Sequence, residues 1–127
     1  MNHKDLIDIF ALSGKVAVVT GGGGVLCGAL SRALGGLGVK VAVLDIRQEP
    51  AQAVVDDIEA AGGEALAVAC NVLDKASIEA ARDAVVEAFG RVDVLINGAG
   101  GNKKEATTAP HAPFFDLPPD AVQWVFN

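Results

Sequence analysis

No tyrosine occurs in this chain, and among its 127 residues there are one tryptophan, one methionine and two histidines. The missing phenol removes one common proton donor for carbonyl chemistry. His3, in the N-terminal stretch, reads as solvent-exposed and lies far from His111, and neither belongs to a Cys/His cluster of metal-ligand spacing. Cysteine is equally scarce. Cys27 and Cys70 belong to no Cys-x-x-Cys or Cys/His group, which excludes a disulfide framework and leaves two reduced thiols. Apolar runs never exceed strand length, so no membrane span is expected. Positive charge is in deficit, with 10 Lys and Arg against 16 Asp and Glu and a net charge of −6. Lys103-Lys104 is the one adjacent Lys/Arg pair, so the basic footprint of a nucleic-acid binder is lacking. Asp5 and Asp8 interrupt the apolar N-terminal stretch, which gives no secretory h-region and points to the cytoplasm.

What is present is a repeating switch of apolar period. The length fits one domain, residues 1–127, and hydrophobic residues make up 51% of it. Short runs at Val16–Val19, Val39–Leu44, Leu66–Cys70 and Val92–Ile96 read as buried parallel strands. Helix-period stretches lie between them. The first covers roughly 25–37, with Leu26, Leu30, Ala33, Leu34 and Leu37 as its apolar stripe. The second, roughly 50–61, has Pro50 at its first turn, Val54, Val55, Ile58 and Ala61 on one face, and Gly62-Gly63 as its stop. The third, roughly 75–89, has Asp74 as N-cap, Ile78, Ala81, Val85 and Phe89 inward, and Gly90 as its end. The pattern predicts an α/β fold: a doubly wound parallel sheet of about four strands in order 3-2-1-4. Residues 102–119 carry four of the five prolines and no clear period, and read as a long substrate-side loop. A further helix starts near Asp120.

Residues 20–28 (TGGGGVLCG) follow the first strand and open the first helix. A glycine-packed turn there presents backbone N–H groups and a helix start to phosphate. Asp45 ends the second strand about twenty residues on, where a ribose hydroxyl needs an acceptor. Four consecutive glycines exceed what one turn requires, and the pairing with Asp45 favours a dinucleotide site over a bare turn. Residues 20–24 and 97–101 both fall beside the switch between strands one and four, which makes them one site.

The set Thr20-Gly21-Gly22-Gly23, Asp45, Asn71-Val72 and Asn97-Gly98-Ala99-Gly100 resembles the cofactor half of a short-chain dehydrogenase/reductase, a Rossmann fold. The resemblance runs from Leu12 to the end of the chain. The wording TGGGGVLCGAL with INGAGGN is similar to the branch that reduces the keto-uronate fructuronate to mannonate. Against the family pattern TGxxxGxG, Val25 and Cys27 stand at the second and third glycine positions. Asn71 stands for the usual Asp, and Gly98 for the second Asn of NNAG. The resemblance implies that Gly21, Gly23, Gly24 and Leu26 line the pyrophosphate through their backbone. It implies that Asp45 accepts from the adenosine ribose, that Ile46 and Val72 flank the adenine, and that the Asn71 amide oxygen accepts from its amino group. Asn97, Ala99 and Gly100 would run along the ribose side. The implied cofactor is NAD, because the Asp45 carboxylate repels a 2′-phosphate; Arg47 is the residue that would instead accommodate NADP.

The family's Ser, its Tyr-xxx-Lys pair and its Asn all fall beyond residue 127, and Asn127 is not that Asn. No catalytic residue and no metal ligand is therefore assigned here. The resemblance implies an oxidoreductase of a small-molecule carbonyl such as a sugar acid, truncated before its catalytic residues and a homo-oligomer at full length. A non-catalytic nucleotide-binding module is the alternative. Lys103 and Lys104 would attract a substrate carboxylate or stand solvated; His111 reads as a solvated loop residue, and Trp124 and Phe126 as packing residues. A sheet ending at Val92–Ile96 would leave an apolar edge open to another chain.

Overall fold

The computed structural model describes residues 1–101 and 103–126; Asn127, and Asn102 at the start of the predicted loop, lie outside the described residues. The elements are α1 (His3–Ile9), β1 (Val16–Thr20), α2 (Val25–Gly36), β2 (Lys40–Asp45), α3 (Gln48–Ala60), β3 (Ala65–Ala69), α4 (Lys75–Phe89), β4 (Val94–Asn97) and α5 (Pro119–Phe126). The sheet is parallel in order β3-β2-β1-β4, with Val19 opposite Val43 and Ile96. This is the doubly wound α/β arrangement that the alternating periods predict, and β1 and β4 flank the switch point.

Alternation along the two central strands divides the core into two layers. Ala17, Val19, Val41 and Val43 face one side and pack on Val54, Val55 and Ile58 of α3 and Cys27 of α2. Val16, Val18, Ala42 and Leu44 face the other and meet Ala81 and Val85 of α4. The central strands are covered on both faces, so their sequences are continuous apolar runs.

Helix α4 forms over the predicted residues: the Asp74 side chain accepts from the Ala76 N–H, and Gly90 closes the helix at φ 81°. Helix α3 starts two residues earlier than expected, so Pro50 sits in the third helical position, still within the turn whose N–H groups have no intrahelical acceptor. Strands β1 to β4 differ from the predicted runs by one or two residues at their ends, because the ladder pairs backbone irrespective of side-chain polarity. Helix α1 is an addition. It lacks an apolar stripe, and a capping box makes it: Asn2 Oδ1 accepts from Asp5 N–H at 2.9 Å and Asp5 Oδ2 accepts from Asn2 N–H at 3.0 Å. In place of a featureless 102–119 loop there are two 3₁₀ turns, Lys104–Ala106 and Phe114–Asp116.

The face of α2 is a correction. Leu26, Leu30 and Leu37 are exposed, and the buried stripe is Cys27, Gly28, Ser31 and Gly35. Small residues let α2 lie close on α3: a Cβ on Gly28 would stand 3.3 Å from Val54 Cγ2, and one on Gly35 would stand 2.6 Å from Ile58 Cγ2. Leu34 of the predicted stripe does pack against the core, but the steric demand of the helix pair, not hydrophobicity, sets the rest of the buried face. Ser31 is fully buried in this stripe, and its hydroxyl has no hydrogen-bond partner among the described residues.

At the opposite end of the sheet Asp93 accepts from Val16 N–H at 2.8 Å and from Arg91 Nε at 2.9 Å. The backbone bond first, and then the guanidinium bond, hold the Asp93 carboxyl below its ordinary range.

Two outcomes are expected. Ser31→Ala should raise the unfolding free energy by about 1 kcal/mol in urea titrations, since a buried unpaired hydroxyl is removed at little change in volume. Asp93, with its lowered folded pKa, contributes stability above its ordinary value of 3.8 that is lost as pH falls through the folded value. The gap in melting temperature between wild type and Asp93→Asn should therefore be present at pH 6 and close in strong acid.

Candidate functional site

The turn after β1 is held by close contacts that leave no room for side chains. Gly21 lies at φ 62°, and a Cβ there would stand 2.6 Å from the Gly98 carbonyl oxygen. A Cβ on Gly22 would meet Val43 Cγ1 at 2.7 Å, and one on Gly23 would meet Pro50 Cβ at 2.7 Å. Three of the four glycines are thus required by close packing, so the argument that their number exceeds what the fold needs does not hold. Gly24 is different. A Cβ there would approach only the Gly21 carbonyl oxygen, at 3.2 Å, and otherwise open space.

Polar ties fix the same turn. Thr20, buried at the end of β1, accepts through Oγ1 from the Gly98 and Ala99 N–H groups at 3.1 and 3.2 Å. This pins the segment after β4 to the start of the glycine turn. Asp45 Oδ2 accepts from Gly23 N–H and Oδ1 from Arg47 N–H, both at 3.1 Å. A carboxylate offers about four acceptor positions, so two remain for hydroxyl donors. Gly24 caps α2 with no side-chain hydrogen bond, and the N–H groups of Val25, Leu26 and Cys27 in the first turn have no intrahelical acceptor.

Cys27 and Gly98, two departures from the family pattern, occupy each other's space. The volume that a side chain at 98 would need is filled by Cys27 Sγ and the Thr20 carbonyl oxygen. Val25, at the other departure, is 96% exposed and does not line the crevice described next.

A crevice of about 610 Å³ runs along the C-terminal ends of the strands. Gly21, Gly24, Asp45, Ile46, Asn71, Val72, Ala99 and Gly100 line it. Three predicted positions do not. Asn97 faces an apolar groove of about 420 Å³ beside α4, Gly23 packs against Pro50 of α3, and the Leu26 side chain is 74% exposed while its backbone N–H stays in the first turn of α2 without an intrahelical acceptor. Alternation explains Asn97: it sits one residue beyond Ile96, whose side chain packs on the α2–α3 side. The Asn71 oxygen meets the Leu73 N–H at 3.0 Å in a local turn, an engagement the adenine expectation did not foresee. Gly98 and Gly101 line it as members of the 97–101 strand end, whereas Cys70, Leu73, Trp124 and Val125 are lining residues the sequence reading did not name. Trp124, expected as a packing residue, is half exposed and borders the crevice. Position after a strand end could have found Leu73 in the same way, whereas no sequence signal brings α5 to this place.

A model of the family described as short chain dehydrogenase matches residues 15–126. A Bacillus subtilis protein named uncharacterized oxidoreductase UxuB is 56% identical over 97 residues, 76% of this chain and 35% of its own length. An uncharacterized oxidoreductase of Haemophilus influenzae is 38% identical over 126 residues, covering 91% of this chain and 44% of the relative. Among solved structures, a provisionally assigned D-mannonate oxidoreductase from Haemophilus influenza with bound NAD superposes with a TM-score of 0.78 at 36% identity. That match covers 91% of this chain and 45% of the other. The chain thus spans less than half the length of these relatives.

Thr20→Val should lower the unfolding free energy by roughly 1–3 kcal/mol, because it leaves the Gly98 and Ala99 N–H groups without their acceptor. Equilibrium unfolding in urea measures this.

Proposed function

The chain belongs to the short-chain dehydrogenase family, and from that premise we propose that it is the cofactor-binding portion of an NAD-dependent oxidoreductase acting on a sugar acid. The observation that carries the reading is the crevice itself. It joins an open glycine backbone at Gly24 to the Asp45 carboxylate along one wall. The residues present fit such a cofactor. Gly24 leaves room for a diphosphate to approach backbone, the uncapped first turn of α2 aims N–H groups at negative charge, and Asp45 retains acceptor positions for ribose hydroxyls.

Asp45 also supports NAD over NADP. A 2′-phosphate would be brought against a carboxylate already fixed by two backbone donors, which cannot swing away without releasing the glycine turn. Ile46 and Val72 give the adenine apolar flanks. When bound, the dinucleotide supplies a hydride to a carbonyl carbon. This chain's own residues bind and orient it: Thr20 fixes the floor after β4, and Asp45 fixes both the turn and the ribose. The keto-uronate reading, fructuronate to mannonate, draws its support from the residues of the glycine turn and from the likeness to the NAD-bound D-mannonate oxidoreductase of Haemophilus influenza.

Calorimetric titration with NADH and NADPH tests the cofactor reading. NADH should bind at least about tenfold more tightly, a difference of about 1.4 kcal/mol. Asp45→Asn, which keeps an acceptor without charge, should narrow the ratio; equal affinities in the wild type would overturn the assignment. Gly24→Ala should cost the fold at most about 1 kcal/mol while weakening NADH binding. Gly23→Ala should destabilise the fold outright through its contact with Pro50.

A further inference from the structure

We propose that Trp124 is a cofactor-contacting residue: its indole forms the wall against which the nicotinamide half of the dinucleotide rests. The inference builds on the cofactor reading above and adds to it where the second nucleoside lies and what it touches.

The strand order sets the order of the crevice. Val72 follows β3, Asp45 ends β2, Gly24 follows β1 and Gly101 follows β4, so these residues line the crevice in sequence from one edge of the sheet to the other. A dinucleotide with its adenosine ribose on Asp45 and its diphosphate on Gly24 carries its other nucleoside to the β4 end. The side chain bounding that end is Trp124: a Cβ on Gly101 would stand 3.4 Å from the indole Cη2.

The ring is held in place rather than free to leave. Ala121, one turn earlier in α5, is buried at 3% exposure, and α5 packs on the 3₁₀ turn Lys104–Ala106. Lys103 Nζ lies 5.7 Å from the ring centroid, a cation–π contact that ties the indole to the segment after β4. Yet Trp124 remains 53% exposed, and the crevice is the space next to it. A large aromatic surface, fixed at one edge and open toward a ligand crevice, gains most by covering a flat ring, and the oxidised nicotinamide is both flat and cationic.

The chain's single tryptophan and the absence of tyrosine make the test direct, since the intrinsic emission reports Trp124. ADP-ribose contains the adenosine, the diphosphate and the second ribose but no nicotinamide. NAD+ should shield Trp124 from acrylamide quenching, whereas ADP-ribose at equal saturation should leave quenching as in the free protein. By calorimetry, Trp124→Ala should weaken NAD+ about tenfold and change ADP-ribose less than twofold, with Trp124→Phe retaining most of the NAD+ affinity. Equal shielding by both ligands, shielding by neither, or a parallel loss of affinity for both in Trp124→Ala would overturn the proposal. Should wild type bind neither ligand, the cofactor reading falls and this inference with it; binding of both without discrimination at Trp124 overturns this inference alone.

Discussion

The structure depends on the close approach of the turn after β1 to three neighbouring segments at the C-terminal end of the sheet. The turn after β1 runs against the segment after β4 at Gly21, against β2 at Gly22 and against the start of α3 at Gly23, at distances no Cβ would permit. Everything that defines the crevice follows from this contact. It lets α2 begin directly above β1, sets Gly24 at the open edge, and brings Asp45 within 3.1 Å of the Gly23 N–H. Backbone packing of this kind is costly in chain entropy, since each glycine has more freedom to lose on folding. The side-chain ties from Thr20 and Asp45 offset part of that cost by joining segments far apart in sequence.

The same contact relates the departures at positions 27 and 98. Cys27 lies under the turn, buried between α2 and the segment after β4, and its sulfur occupies the place a side chain on residue 98 would need. A thiol at one position and a glycine at the other are one packing solution. Gly24, which only the Gly21 carbonyl oxygen approaches, is the residue that leaves the cradle open.

Legibility in the sequence varied with the kind of force involved. Strands β1 and β2 were plain because burial on both faces demands continuous apolar residues. Helix α4 was plain because Asp74 and Gly90 mark its ends by local hydrogen bonding and a left-handed φ. Helix α2 is legible only in part: Leu34 packs inward as its period implies, while its partner α3 requires Gly28, Ser31 and Gly35 in place of Leu26, Leu30 and Leu37. Helix α1 escaped notice because it rests on a capping box and buries nothing. Within the site, Gly21, Gly24, Asp45, Ile46, Asn71, Val72, Ala99 and Gly100 share one crevice, as the strand-end positions imply. Asn97 points elsewhere, because facing is a matter of register that composition does not carry.

The sequence by itself determined the α/β alternation and the place of the glycine turn and Asp45, because these rest on local period and on short-range turn chemistry, and the strand order followed from the alternation through the handedness of parallel crossovers. Only the tertiary structure decided which glycines serve packing and which leaves space, that Asn97 belongs to the groove beside α4, and that Trp124 closes the crevice. Those outcomes depend on distances between segments up to about a hundred residues apart in the chain, from the turn at Gly21 to Trp124. Such distances are fixed by how helices and strands of given side-chain volume settle on one another, which no window of sequence contains.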